Sequence, residues 1–194
     1  MNDIEEIKII INNLQHTEEL LQRALVNWKK NIKNCQNINI FPGKKIIENL
    51  CNHPNSVYLN KEFFEKLYTF LNVYIAIREK KLAYTGKSLD NFLKIGLNSI
   101  YKYVIVSEYF TNNIKYIVPD NTDNTDKFRK IVKTQNVYKD YLLTLSENLI
   151  GCKKRLFMFL PLIDSIKNLN DDQKKQKRYL SDKCLNIRTD KLKL

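Results

Sequence analysis

Glycine and proline are scarce, each occurring four times in 194 residues. A β-rich chain of that length turns often, and tight turns need Gly, Pro or Asn-Gly pairs. Their scarcity argues against a sandwich or barrel of short strands and favours long helices. Histidine is scarcer still, with only His16 and His53. A zinc site needs three or four convergent ligands. No ligands recur at helical spacing around either histidine, so a surface position explains each, and no metal or cofactor is expected. No apolar run approaches the ~20 residues that cross a bilayer. The start of the chain carries Asp3, Glu5 and Glu6 where a secretory leader is basic. No N-x-S/T sequon occurs.

The four cysteines, Cys35, Cys51, Cys152 and Cys184, are scattered with no C-x-x-C. They fall at or beside apolar helix positions. Together with the acidic start, this reads as buried, reduced thiols in an intracellular chain, cytoplasmic or nuclear. A cysteine nucleophile needs a partnered base, and the sequence offers none. Glu5/Glu6 and Glu18/Glu19 are adjacent pairs, which diverge by ~100° on a helix. They form solvated faces, not an acid–base pair. Gly86-Lys87-Ser88 lacks the first glycine of a phosphate loop, since Lys81 stands in its place. The triplet also follows a helical pattern where a phosphate loop follows a strand.

What the sequence does contain is helical periodicity. Ile4, Ile7, Ile11, Leu14, Leu21, Leu25, Trp28 and Ile32 recur at steps of three and four, with one miss at Glu18. This predicts a long helix over residues 3–35, capped by Asn2 or Asp3. Its heptad timing makes those eight residues a helix-packing seam, inside its own bundle or across a homo-oligomer. A short helix is expected from Pro42 to Cys51. A broad aromatic helix follows Asn60, with Phe63, Phe64, Leu67, Tyr68, Phe70, Leu71, Tyr74, Ile75 and Ile77 on its face and Gly86 as its C-cap. Ser88 opens the next helix, which carries Leu89, Phe92, Leu93, Leu97, Ile100, Tyr101, Val104, Ile105 and Tyr109. Residues 100–106 alone have the composition of a strand, and the longer three–four rhythm decides for helix. Residues 119–126 are a polar connector with Asp-Asn-Thr repeats. They lack the glycine and the terminal glutamate of a calcium loop. A second long helix is expected over 126–160, broken at Pro161. Asp171 and Asp172 open a last helix of mostly Lys, Gln and Arg, with Tyr179, Leu180, Cys184 and Leu185 as its apolar side and a frayed end at 187–194. The fold expected is all-α: a single helical domain over 1–194, a bundle of five to six helices with two long ones.

Charge is unevenly distributed. The formal net charge is +12, and 17 of the 33 Lys and Arg but only 7 of the 21 Asp and Glu fall in residues 127–194. Three clusters carry the excess: Lys127/Arg129/Lys130/Lys133, Lys153/Lys154/Arg155 and Lys174/Lys175/Lys177/Arg178. Such clusters attract acidic partners. Composition tempers this reading. Asn, Lys and Ile make up 73 residues, and Lys outnumbers Arg 27 to 6. All three favoured residues have A/T-rich codons, whereas a selected phosphate surface recruits arginine for its fork geometry.

The expected function is a non-catalytic helical interaction module, an adaptor or a subunit of a larger assembly, with a protein partner. The alternatives are nucleic-acid binding through the basic C-terminal third and peripheral binding to anionic membranes. The thiol reading has a direct check. Reductant should leave the melting temperature unchanged, and a large drop would reveal a stabilising disulfide.

Overall fold

The computed structural model describes residues 2–34, 61–117 and 143–192, with side chains described for 2–23, 61–112 and 143–185. Within them the chain is all-α, a helical bundle joined by turns. The expected helix Pro42–Cys51, the connector 119–126 and the first part of the expected helix 126–160 lie outside the described residues.

Helix α1 spans Asp3–Asn34. The Ile4 N–H donates to Asn2 Oδ1 at 3.2 Å, and the Asn2 N–H donates to Glu5 Oε2 at 3.4 Å. This reciprocal box satisfies amides that the first turn would otherwise leave unmet. Helix α2 spans Lys61–Arg78. It ends where the Lys81 N–H reaches Ala76 O at 2.9 Å and the Lys80 N–H reaches Ile77 O at 3.1 Å. That is a Schellman cap, with Lys80 left-handed at φ 58°. Gly86 therefore does not cap α2. It opens α3 (Gly86–Ile117), also at a positive φ of 57°. A lysine in the left-handed region costs about 1–2 kcal/mol, and the two capping bonds offset it. No side-chain preference in the sequence marks such a site.

At 32 residues, α3 is as long as α1, about 48 Å at the α-helical rise. Helix α4 is described over 143–156 and passes into a 3-10 turn, Phe157–Phe159, then a short helix α5, Leu160–Asp164. Pro161 explains the interruption. It has no N–H to give to Phe157 O, and the Leu160 N–H takes that carbonyl instead. The chain thus tightens into a 3-10 turn upstream of the proline and stays helical through it. Asn168, left-handed at φ 56°, turns the chain toward α6 (Asp171–Leu192). Asn170 and Gln173 form a second reciprocal box, at 2.8 and 3.0 Å. The described helix runs past Ile187, where a frayed end was expected.

The pairings fix the helix directions. Asp3 meets Arg78 and Glu18 meets Tyr68, so α1 and α2 are antiparallel. Phe63 stacks near Tyr103 and Phe70 on Phe92, so α2 and α3 are antiparallel too. Asn98, Tyr101 and Glu108 meet Gln176, Tyr179 and Lys183 in the same order, so α3 and α6 run parallel. One apolar cluster draws on all six helices, from Ile7 through Phe64, Leu97, Leu149 and Ile163 to Leu180.

The seam of α1 is displaced from the expected one. Ile7, Leu14 and Leu21 are buried, but Ile4 and Ile11 are only partly so. Ile10, Thr17 and Leu20 are buried in addition. The inward stripe runs Ile7, Ile10, Leu14, Thr17, Leu21, which keeps heptad timing on a neighbouring face. Thr17 belongs in it because its Oγ1 donates to Asn13 O at 2.7 Å, leaving no unmet hydroxyl. Glu18, the apparent miss, lies beside the stripe and accepts a bond from Tyr68. Leu25, Trp28 and Ile32 are on α1, beyond the described side chains.

The α2–α3 contact is close at Gly96. A Cβ built on Gly96 would lie 2.2 Å from the Phe70 ring. That ring is 3% exposed and is held by Phe92 at 4.9 Å and Phe159 at 5.4 Å between centroids. It has no room to retreat. Gly151, on α4, meets nothing within 4 Å. The same substitution should therefore have opposite signs at the two glycines. Gly151→Ala should stabilise by about 1 kcal/mol through helix propensity. Gly96→Ala should destabilise by about 1–3 kcal/mol, overpacking outweighing that gain. Urea denaturation of both variants measures this, and a neutral Gly96→Ala would contradict the described seat of Phe70.

Candidate functional site

The basic clusters of the sequence were the candidate site, and the fold separates them. Lys127, Arg129, Lys130 and Lys133 lie outside the described residues. Lys153, Lys154 and Arg155 are consecutive on α4, so successive side chains turn by ~100°. Arg155 crosses to α1 and bonds Glu6. Lys153 faces Glu108 of α3, its side chain only 13% exposed. Of the three, Lys154 alone is exposed and has no ion pair among the described residues. A cluster in sequence thus becomes three side chains with three destinations, two of them structural.

The α6 cluster behaves differently. Lys177 turns toward Asp164, Nζ to Oδ1 at 3.5 Å. Lys174, Lys175 and Arg178 are exposed. Lys174 and Arg178 are four apart and Lys175 and Arg178 three apart, so they share one side of the helix. Asp171 and Asp172 precede them and Asp182 follows, all exposed. Asp171 and Asp172 occupy the first turn, where they favour the positive end of the helix dipole. The outer side of α6 is therefore patterned acidic, basic, acidic.

The inner side of α6 is mostly polar. Leu180 is its one fully buried apolar side chain among the described residues, worth about 1.5–3 kcal/mol. Tyr179 and Cys184 are half-buried. Gln176 Nε2 donates to Asn98 Oδ1 at 3.3 Å. Further along, Glu108 gathers the rest. Its carboxylate accepts the Tyr179 hydroxyl and faces Lys183 Nζ at 3.2 Å and Lys153 Nζ at 3.9 Å. Lys183 also lies 5.3 Å from the centre of the Tyr179 ring. Glu108, 17% exposed, is thus the shared counter-ion of cations from α4 and α6. Burial pushes the Lys153 ammonium below its ordinary value. Glu108 opposes that shift, and Lys183 and Lys154 add to it. Sequence reading did not single out Glu108, Tyr179 or Lys183. One signal was present: Glu108 is the only acid between Asn91 and Asn112.

A cleft of about 640 Å³ lies at the start of α3, lined by Lys87, Lys94 and Lys167 with Asp90, Asn91 and Asn168. Lys94 Nζ donates to Asn168 O at 3.0 Å, and the Lys167 N–H approaches Asp90 Oδ1 at 3.5 Å. Because α3 and α6 are parallel, this cleft and the α6 cations lie at the same end of the bundle. The Gly86-Lys87-Ser88 triplet at its rim follows a turn out of helix α2, with no strand before it.

A second polar group is buried between α1, α2, α3 and α4. Tyr103 is fully buried and its hydroxyl donates to Leu149 O at 3.4 Å. Cys152 lies beside Tyr103 and Thr17, and burial pushes its thiol up. A thiol held protonated and out of water is a poor nucleophile. Cys152 and Cys184 are both unbridged. His16 is exposed on α1 and His53 lies outside the described residues. Among the described residues no three His, Cys, Asp or Glu side chains converge as a metal site. Nor is any described helix long and apolar enough to cross a membrane.

Four tyrosines carry phenols raised above their ordinary value. Burial is the first cause for Tyr68, Tyr74, Tyr103 and Tyr179, and bonds to Glu18 and Glu108 add to it for Tyr68 and Tyr179. A raised folded-state value means stability that is complete below the unfolded phenol value, about 10, and lost as pH rises beyond it. Alkaline titration should therefore show a fraction of the tyrosinate absorbance appearing only with loss of helicity. If all phenols ionise near pH 10 with the helical signal intact, these burials are wrong. Compared with known protein families, with curated proteins and with solved structures, the chain shows no significant match.

Proposed function

We propose that the chain is a non-catalytic helical interaction module, an intracellular adaptor or assembly subunit. Its docking surface is the outer side of α6, and its partner is a protein bearing a discrete acidic patch. The observation that carries this reading is the exposed trio Lys174, Lys175 and Arg178, bounded by Asp171 and Asp172 on one side and Asp182 on the other. Mixed charge of this kind favours complementary surfaces and penalises mismatched ones. A uniform polyanion gains from the lysines but is repelled by the flanking aspartates. That argues for a protein over nucleic acid, whose affinity grows with the number of phosphates neutralised. It also argues over a membrane surface. An interfacial helix buries its apolar side in lipid, whereas Leu180 of α6 is buried in the bundle. The lysines of the cleft at the start of α3 extend the cationic surface around the same end.

The test is charge reversal in the full chain, Lys174→Glu, Lys175→Glu and Arg178→Glu together. Cross-linking in cells of origin, with and without nuclease, compares the variant with wild type. The expected result is one or more protein partners that survive nuclease and are lost on reversal, with helicity unchanged. Nuclease-sensitive recovery would favour nucleic acid. Identical partners for both chains would mean that the trio is only solvated surface.

A further inference from the structure

We infer that α6 is a detachable arm latched to the bundle by Glu108. The inference about the latch stands on geometry alone, and only its use by a partner rests on the function proposed above.

Helix α6 lies along α3, yet its described side chains bury little apolar surface there. Among them one apolar residue, Leu180, is fully buried, whereas α3 buries Phe92, Leu93, Leu97, Ile100, Tyr103 and Val104. Tyr179 and Cys184 are half-buried against the apolar cluster, with the Tyr179 ring edge-on to Tyr101 at 5.5 Å. The other attachments are polar: Gln176 to Asn98, Lys177 to Asp164, and Tyr179 and Lys183 to Glu108. Gln176 Oε1 is buried with no hydrogen-bond partner among the described residues, so even this contact is incompletely satisfied. Elements with few buried apolar contacts occupy the low end of local stability and open before the core does.

Glu108 differs from the other attachments because it does more than attract. Lys153 of α4 and Lys183 of α6 both face it, at 3.9 and 3.2 Å. With the carboxylate charged, the two ammoniums share one counter-ion. With its charge removed, two cations confront each other across the α4–α6 contact in a partly buried place. Neutralising Glu108 thus converts a cohesive site into a repulsive one. Lys153 is 13% exposed and anchored on the well-packed helix that carries Leu149, Cys152 and Leu156. Lys183, 37% exposed, sits on the weakly held helix. The helix that yields is α6.

The released arm differs from the docked one in what it presents. Lys177 and Lys183 leave Asp164 and Glu108 and join Lys174, Lys175 and Arg178. An acidic partner therefore finds more free cations on the undocked helix and shifts the population toward it, to the extent of that differential affinity.

Hydrogen exchange read by mass spectrometry on the full chain, with no partner present, tests the latch. In wild type, amides over 174–185 should exchange faster than those over 97–110. Glu108→Gln keeps a hydrogen-bond acceptor for Tyr179 and removes the charge. It should speed exchange over 174–185 at least tenfold and leave 97–110 unchanged. Adding Lys153→Met to Glu108→Gln removes the repulsion and should restore much of the lost protection. Loss of a packing contact would not be rescued in this way. The inference is overturned if Glu108→Gln leaves α6 as protected as in wild type. It is equally overturned if α6 and α3 exchange as one unit in both chains, or if Lys153→Met gives no rescue. None of these readouts involves a partner, so they separate failure of the latch from failure of the proposed docking surface.

Discussion

The Phe70 ring occupies the space that any side chain at position 96 would need. With no Cβ there, α2 and α3 approach closely enough for the ring to lie against the α3 backbone. The contact then spreads. Phe92, one turn earlier on α3, stacks on the same ring, and Phe159 meets its edge from the turn that follows α4. Tyr74 packs edge-on against Phe159 in turn. Three segments distant in sequence are thus keyed to one glycine. Burial of large aromatic rings provides most of the energy available at such a junction, and close packing makes it intolerant of added volume. The antiparallel α2–α3 pair is the frame on which the other helices are placed: α1 along α2, and α6 along α3.

Away from that frame, cohesion changes character. The α1–α2 edge adds Arg78 to Asp3 and Tyr68 to Glu18 around an apolar stripe. The α3–α6 edge combines Leu180 and the Tyr101–Tyr179 ring contact with the carboxylate of Glu108. Exposed ion pairs contribute little, about 0–1 kcal/mol each. A carboxylate only 17% exposed that faces two ammoniums and a hydroxyl is a different case. Its partners depend on it more than it depends on either of them. The bundle therefore has a firm side, fixed by aromatic packing, and a side whose attachment depends on charge.

The features legible in the sequence were those set by local periodicity. The start of α1, its length and the Asn2 cap follow from apolar spacing and first-turn chemistry. The buried face Phe63, Phe64, Leu67, Phe70 and Leu71 of α2 follows from its spacing as well. The errors have specific causes. The apolar spacing includes Ile4 and Ile11 and passes over Thr17, because a hydrophobicity count cannot credit a threonine that satisfies its own hydroxyl. Gly86 was read as a C-cap because glycine is the usual left-handed residue, while Lys80 took that conformation under the constraint of two backbone bonds. The tight seat of Phe70 on Gly96 was invisible because it joins residues 26 apart whose pairing only the fold decides. For the candidate site, sequence located the exposed trio on α6 but could not separate it from Lys153, Arg155 and Lys177. A run of basic residues gives no indication of which of them will find an acid from another helix.

That distinction bears on what a net charge means. A formal charge of +12 describes composition. Recognition depends on which charges remain unmatched and how they are ordered. In this fold Arg155 is matched by Glu6, Lys153 and Lys183 by Glu108, and Lys177 by Asp164. Each pairing gives a cation a partner and uses it to join two helices. On the outer side of α6 the remaining cations alternate with aspartates, two of which are placed by the needs of the helix terminus rather than by any partner. The parallel arrangement of α3 and α6 brings the cleft lysines to that same end. The surface that results is short and mixed in sign. Such a surface discriminates by pattern. On the reading proposed above, Lys177 and Lys183, held by Asp164 and Glu108, would join that surface only on release of the helix, and a partner that binds them would favour that release.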